Sequence, residues 1–142
     1  MSTRSVIGKL NKDGSVKTIY CHHDGYPEGV GAMLANYYEN NAKVDKLLEL
    51  GDMSSLGKEP VSDPELWNPM TPYNDNFCCT YKGRGEENVD AKTFNSVKEA
   101  KEHYDGCDYM YLIDENDVWF VYDLYSGNSA DLLLVLSGDA DL

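Results

Sequence analysis

Apolar and polar positions along this chain follow two different periods, and the switches between them mark its elements. Two β-rich runs, Ser5–Leu10 and Val16–Cys21, flank Asn11-Lys12-Asp13-Gly14. An Asp-Gly turn between such runs predicts a hairpin, because glycine accepts positive φ and aspartate can bond its own backbone. Over residues 30–41, Met33, Leu34, Tyr37 and Tyr38 recur at helical spacing. Over 43–50, Val44, Leu47 and Leu48 share one helix face ahead of Gly51, a C-terminal stop. Residues 52–57 read as a turn with a capped single turn. Pro60, Pro64, Pro69 and Pro72 then forbid regular structure over most of 58–74, which predicts a long surface loop or lid.

Residues 76–82 read as a strand followed by a Gly-rich turn, and 89–94 as a weaker, edge-like segment. Asn95 or Ser96 can cap a helix over 97–104, with Glu99 one turn inside as in a capping box. The clearest hairpin is Tyr109–Ile113, the turn at 114–117, and 118–122. Residues 129–136 suit either a last helix or a buried strand, and run length leaves both open. This order predicts a single α+β domain over 1–142, with an antiparallel sheet and helices packed mainly on one face.

Composition supports a folded chain. It has 142 residues, 42% of them hydrophobic, and 11 tyrosines, and a domain of this length buries roughly 68% of its unfolded surface. The longest apolar run, 132–136, falls short of the roughly 20 residues that a membrane span requires. The first residues lead into strand-like sequence without an apolar signal segment, so a cytoplasmic location is expected. Cys21, Cys78, Cys79 and Cys107 are read as free thiols, since nothing suggests an oxidising compartment and adjacent strand residues point to opposite faces.

Charge changes the picture more. Residues 1–60 carry 7 Lys/Arg against 8 Asp/Glu, whereas 61–142 carry 5 against 17, within a formal net charge of −13. Such a field repels nucleic acid and anionic membranes and attracts basic surfaces. Direct DNA or RNA binding lacks its usual basic footprint. The acids Glu86, Glu87, Asp105, Asp108, Asp114, Glu115, Asp117 and Asp123 lie among tyrosines and Trp119. Carboxylates can occupy positions where a basic protein expects phosphates, and aromatic side chains supply anchoring area. These residues are the candidate partner-binding set, with a solvated acidic face over a tyrosine-containing core as the plainer reading.

The alternative site is the loop at residues 20–27, with Cys21, His22, Asp24 and Tyr26. Histidine, cysteine and aspartate are competent zinc or iron ligands, but neighbouring strand side chains diverge, and no Cys-x-x-Cys or His-x-x-x-His pair is present. A thiol–imidazole pair from Cys21 with His22 or His23, or from Cys79 with His103, would need proximity that sequence does not show. Gly83-Arg84-Gly85-Glu86-Glu87 lacks the Gly-Lys-Ser/Thr ending of a phosphate loop and reads as a turn with Arg84 paired to a carboxylate. No catalytic residue, metal or cofactor is assigned.

The stretches Ser2-Thr3-Arg4-Ser5, Ile19-Tyr20-Cys21-His22-His23-Asp24-Gly25-Tyr26-Pro27, Gly51-Asp52-Met53-Ser54-Ser55-Leu56 and Thr80-Tyr81-Lys82-Gly83-Arg84-Gly85-Glu86 resemble an uncharacterised family of small phage and prophage proteins. The resemblance spans about residues 2–94 and centres on Tyr-Cys-His-x-Asp-Gly-Tyr. Relatives carry Trp where His23 stands, which counts against a two-histidine metal site. It implies phage origin and the host-cell cytoplasm, but no activity. Taken with the charge, it gives the leading expectation: an acidic protein, monomeric or a small homo-oligomer, that inhibits or modulates a basic host nucleic-acid-handling defence enzyme. That enzyme would be of the kind countered by anti-CRISPR or anti-restriction proteins. The alternative is a small enzyme or ligand-binding protein using the 20–27 loop, closed by 58–74.

Overall fold

The computed structural model describes residues 2–142. The predicted first hairpin forms as β1 (Ser5–Leu10) and β2 (Val16–Cys21), in register from Ser5↔Cys21 to Leu10↔Val16. Two helices follow, α1 (Ala32–Tyr37) and α2 (Asn41–Glu49), then β3 (Met53–Ser55) and β4 (Cys79–Thr80). The remaining elements are β5 (Lys92–Phe94), α3 (Val97–His103), β6 (Tyr109–Ile113), β7 (Trp119–Asp123), β8 (Ser129–Asp131) and α4 (Leu132–Ser137). All strands join one sheet of order β4-β3-β2-β1-β6-β7-β8, with β5 also on β2.

The architecture is α+β, with a sheet that is mixed rather than purely antiparallel. At its centre β1 pairs parallel with β6, from Ser5↔Tyr109 to Lys9↔Ile113. The long, helix-containing connection between the two strands permits this, since parallel pairing needs a crossover that no tight turn provides.

Strand alternation sorts the core onto two faces. Ile7, Ile19, Tyr111, Ile113 and Val121 meet Leu34, Val44, Leu47 and Leu132 from α1, α2 and α4. On the opposite face Val6, Val16, Met110 and Leu112 lie under Ala100 and Tyr104 of α3 and its C-terminus. Three helices therefore cover one face and one covers the other. Among the described residues no helix is long and apolar enough to cross a membrane.

Three stretches differ from the sequence expectation, besides the strand foreseen over 76–82, which shortens to Cys79–Thr80 ahead of a 3-10 turn at Lys82–Arg84. The helix foreseen over 30–41 begins as a π-turn at Pro27–Gly31 and is interrupted at Tyr38. Tyr38 turns into the core, where its hydroxyl donates to Gly57 O (2.7 Å) and its carbonyl accepts Trp119 Nε1–H (2.8 Å). Asn40 then caps α2 by accepting from Lys43 N. Second, residues 53–55 form a strand; three residues are too few to display alternation. Third, 129–136 holds both structures that the pattern allowed. Asp131 ends β8, and its Oδ1 accepts from Leu133 N (2.9 Å) to start α4.

The proline-rich segment is pinned rather than loose. Asp63 caps the 3-10 turn Pro64–Trp67, Ser62 bonds Thr80, and Trp67 Nε1–H donates to Thr80 O (2.8 Å). Arg84 lies 3.9 Å over the Trp67 ring, a cation–π contact that clamps the segment to β4.

Asp52 closes a gap in the sheet. β2 is flanked from Val16 to Thr18 by β5 and at Cys21 by β3, so the Tyr20 N–H between them lacks a strand partner among the described residues. Asp52 Oδ1 accepts it at 2.9 Å, with Lys92 Nζ 3.7 Å from the other carboxylate oxygen. Burial pushes the Asp52 pKa up, and the Tyr20 N–H and Lys92 pull it back. With a folded value above the unfolded one, the folded state binds this proton more tightly. The carboxyl thus favours folding below the unfolded pKa, and that contribution is lost as pH rises through the folded pKa. Substituting Lys92→Met removes the nearby cation and should raise the Asp52 pKa further, read from an NMR titration of its carboxyl carbon. An unchanged titration would mean that the pair is screened by solvent.

Candidate functional site

The loop after β2 is built from the backbone outward. His22 N and His23 N donate to Met53 O and Ser54 O (both 3.0 Å), carrying the β2–β3 pairing into the loop. Asp24 then takes a left-handed conformation, φ 58°, which aspartate tolerates better than most residues. Its carbonyl accepts Val30 N at 2.7 Å. A Cβ on Gly29 would lie 2.3 Å from that same Asp24 oxygen, so the close return of the chain requires glycine. Gly25 N donates to Thr3 O, and Gly25 O accepts the Tyr111 hydroxyl at 2.6 Å. The loop is thereby tied to the N-terminal segment and to the central strand β6.

The side chains of this loop diverge. Cys21 is fully buried, its thiol pushed up to about 12 by burial. It borders none of the three concavities described below. His22 turns to the α3 side, with Nδ1 2.7 Å from the Tyr20 hydroxyl. Burial, then His23 and Arg4, hold its pKa below the usual imidazole value. His23 Nδ1 lies 2.9 Å from Ser2 Oγ. Asp24 and Tyr26 are exposed and share a cleft that contains neither Cys21 nor His22. Among the described residues, no group of three or more His, Cys, Asp or Glu side chains is placed to hold a metal ion.

That cleft, of about 250 Å³, runs between the 23–30 segment and Tyr73, Asn74, Asp75 and Phe77 at the end of the proline-rich segment. Tyr26 separates it from a second concavity of about 250 Å³, where Thr3, Asp108, Tyr109, Asp123 and Tyr125 meet. Tyr73 separates it from a third, of about 370 Å³, over Ser54 and Ser55 of β3. The three adjoin, and the exposed rings of Tyr26, Tyr73 and Tyr125 stand along them, the last two 92% and 98% accessible.

The acidic set divides among four places. Asp108 and Asp123 belong to the Tyr26 end of the sheet; Asp105, exposed after α3, faces Lys98 and Lys101. Asp114, Glu115 and Asp117 sit at the opposite end. There Asp114 Oδ1 accepts Asn116 N and Val118 N, and Asp117 Oδ1 accepts from Asn41 N and Nδ2. Lys9 and Lys12 share that concavity with Glu115 and Asp117. Glu86 and Glu87 lie exposed beyond β4, with Glu86 taken by Arg84 (2.8 Å). Trp119 is a correction: it is 5% exposed and faces the core beside Val121, so it offers no surface to a partner. Its place among the acids made it a candidate anchor, but strand alternation with Val121 points it inward.

Sequence reasoning gave no role to Glu28, Tyr73 or Phe77, and met Tyr109 and Tyr125 only as two of the tyrosines among the acids. The length of the 58–74 segment signalled function, but nothing in it marked the residues just beyond as the far wall of a cleft. Compared with models of protein families, with curated proteins and with solved structures, the chain matches none.

The bond from Tyr111 to Gly25 holds this end together. Tyr111→Phe leaves the Gly25 carbonyl buried without that partner and should cost about 1–3 kcal/mol, measured by urea unfolding. Amide exchange at Val30 should accelerate with it. Unchanged exchange there would show that the 23–30 segment is held by other contacts.

Proposed function

We propose that this protein is a partner-binding protein that docks a basic protein surface on its Tyr26 end. We further propose that its target is a nucleic-acid-handling defence enzyme of a bacterial host, which it inhibits or modulates. The observation that carries the reading is the gathering of Tyr26, Tyr73 and Tyr125 along adjoining concavities that also hold Asp24, Glu28, Asp108 and Asp123. Rigid tyrosines give contact area at low entropic cost, and a surrounding negative field selects and steers a basic partner. A net charge of −13 reinforces that steering over the length of the chain. Host defence is the class of target to which the resemblance to phage proteins and the acid surplus jointly lead, because enzymes that grip nucleic acid carry extended basic channels.

Within this reading the turn at 114–117 is structural, with Asp114 shaping the β6–β7 connection and Asp117 docking α2. The alternative, a small enzyme or ligand- or metal-binding protein using the 20–27 loop, is less favoured because Cys21, His22 and Asp24 do not converge on one cleft.

The test uses affinity capture from bacterial host lysate, with wild type and variants run side by side. Asp108→Asn with Asp123→Asn keeps the oxygens that accept Arg4, Tyr125 and Ser126 N–H groups while removing two charges. That double variant, and Tyr125→Ser separately, should each lower capture of one basic nucleic-acid enzyme by about tenfold. Glu115→Gln at the other end should leave it unchanged. Wild-type capture at about 100 mM salt should fall at several hundred mM. Equal capture by all variants would refute this face as the interface, and no basic enzyme in any capture would refute the target class.

A further inference from the structure

We infer that the cleft between Tyr26 and Tyr73 is an anchor pocket for a single arginine side chain of the basic partner, an assignment that rests on the partner-binding reading above. Its volume, about 250 Å³, falls below the roughly 300–1,000 Å³ of pockets for drug-sized ligands and suits one long side chain. Its lining combines the rings of Tyr26, Tyr73 and Phe77 with the carboxylates of Asp24, Glu28 and Asp75, and includes no lysine or arginine.

Asp75 is engaged by Lys58 at 3.5 Å, at the margin of the cleft. Asp24 and Glu28 make no ion pair among the described residues, and both are exposed. Two uncompensated carboxylates beside aromatic faces form a receptor for a planar cation. The guanidinium stacks on rings and donates in a fork that matches a carboxylate. The protein contains an internal counterpart. Arg84 lies 3.9 Å over Trp67 and 5.5 Å from Tyr81 while its Nε donates to Glu86 at 2.8 Å. The Tyr26 cleft offers the same chemistry with the guanidinium place open to solvent.

Geometry makes the receptor stiff. Asp24 is fixed by its left-handed backbone and by the bond from Val30 N, and the 23–30 segment is tied to Thr3 and Tyr111. The opposite wall is held by Lys58 N to Asp75 O (2.9 Å) and Glu59 N to Asn76 O (2.8 Å). Little order has to be gained when a side chain enters, so a weak contact is not wasted on closing the site.

The experiment titrates the whole chain with N-acetyl-arginine methylamide, following tyrosine and phenylalanine ring signals by NMR. N-acetyl-citrulline methylamide, a neutral isostere, is the control. The arginine probe should produce saturable shifts at Tyr26, Tyr73 and Phe77 in the millimolar range. Citrulline should bind about tenfold more weakly. Asp24→Asn with Glu28→Gln should bring the arginine response down to the citrulline level; asparagine keeps the left-handed backbone accessible. Equal binding of both probes, shifts confined to other residues, or a response unaffected by the double variant would each overturn the assignment. No partner is needed, so a failure here is separate from a failure of the capture experiment. If the capture succeeds while this titration fails, the face stands without its arginine anchor.

Discussion

The parallel pairing of β1 with β6 is the constraint on which this structure depends. It sets Ser5 beside Tyr109, and the chain ahead of each strand is zipped in the same sense: Arg4 N donates to Asp108 Oδ2 (3.0 Å) and Asp108 N to Arg4 O (2.8 Å). Because β2 runs antiparallel to β1, its last residue and the loop that follows also fall at this end. Residues separated by more than eighty positions are thus brought to one surface: Asp24 and Tyr26 from one half, Asp108, Asp123 and Tyr125 from the other. Had β6 entered the sheet in the opposite direction, the 114–117 turn would sit beside the loop instead, and Asp108 would lie at the far end. The location of the acid relative to the tyrosines is therefore a property of sheet topology, not of composition.

The same topology divides the acid surplus into charge that serves the fold and charge that faces outward. Asp13, Asp63, Asp114, Asp123 and Asp131 each accept backbone N–H groups in a turn or at a helix start. Aspartate is the residue of choice there because its short side chain bonds the backbone two or three positions on. Part of the net charge is the by-product of a fold with many tight connections. Only the carboxylates at the Tyr26 end lie beside exposed aromatic area. An acidic run in sequence does not distinguish the two roles, since the difference lies in which N–H groups are nearby.

Much of the fold was legible where local signals were strong. The Asp-Gly hairpin, the Tyr109–Ile113 hairpin and the Ser96-capped α3 rest on turn chemistry, alternation and a cap within a few residues. What escaped was decided by distant partners. The break at Tyr38 is set by Gly57 and Trp119, and β3 exists because β2 and β4 flank it. The site was legible in outline only. Asp24, Tyr26, Asp108 and Asp123 were singled out from local character, but their adjacency follows from strand direction. Tyr73 and Phe77 carried no local mark of their role, and the burial of Trp119 is a tertiary quantity that its neighbours in sequence do not give.

Rigidity decides how such a face would work. A long proline-rich segment beside a cleft invites description as a lid, yet here its first half and its end are tied to the fold. Asp63 and Trp67 anchor it to β4, and backbone bonds tie Lys58 and Glu59 to Asp75 and Asn76. Proline removes further freedom from the connecting residues. A segment tied in this way carries Tyr73 on the wall of the cleft that faces Tyr26. For catalysis such fastening would be a handicap, because enclosure excludes water and completes a reacting constellation. For recognition it is an advantage, since association then orders fewer groups and more of the contact energy remains as affinity. The fastening of this segment thus favours a surface that is ready before its partner arrives.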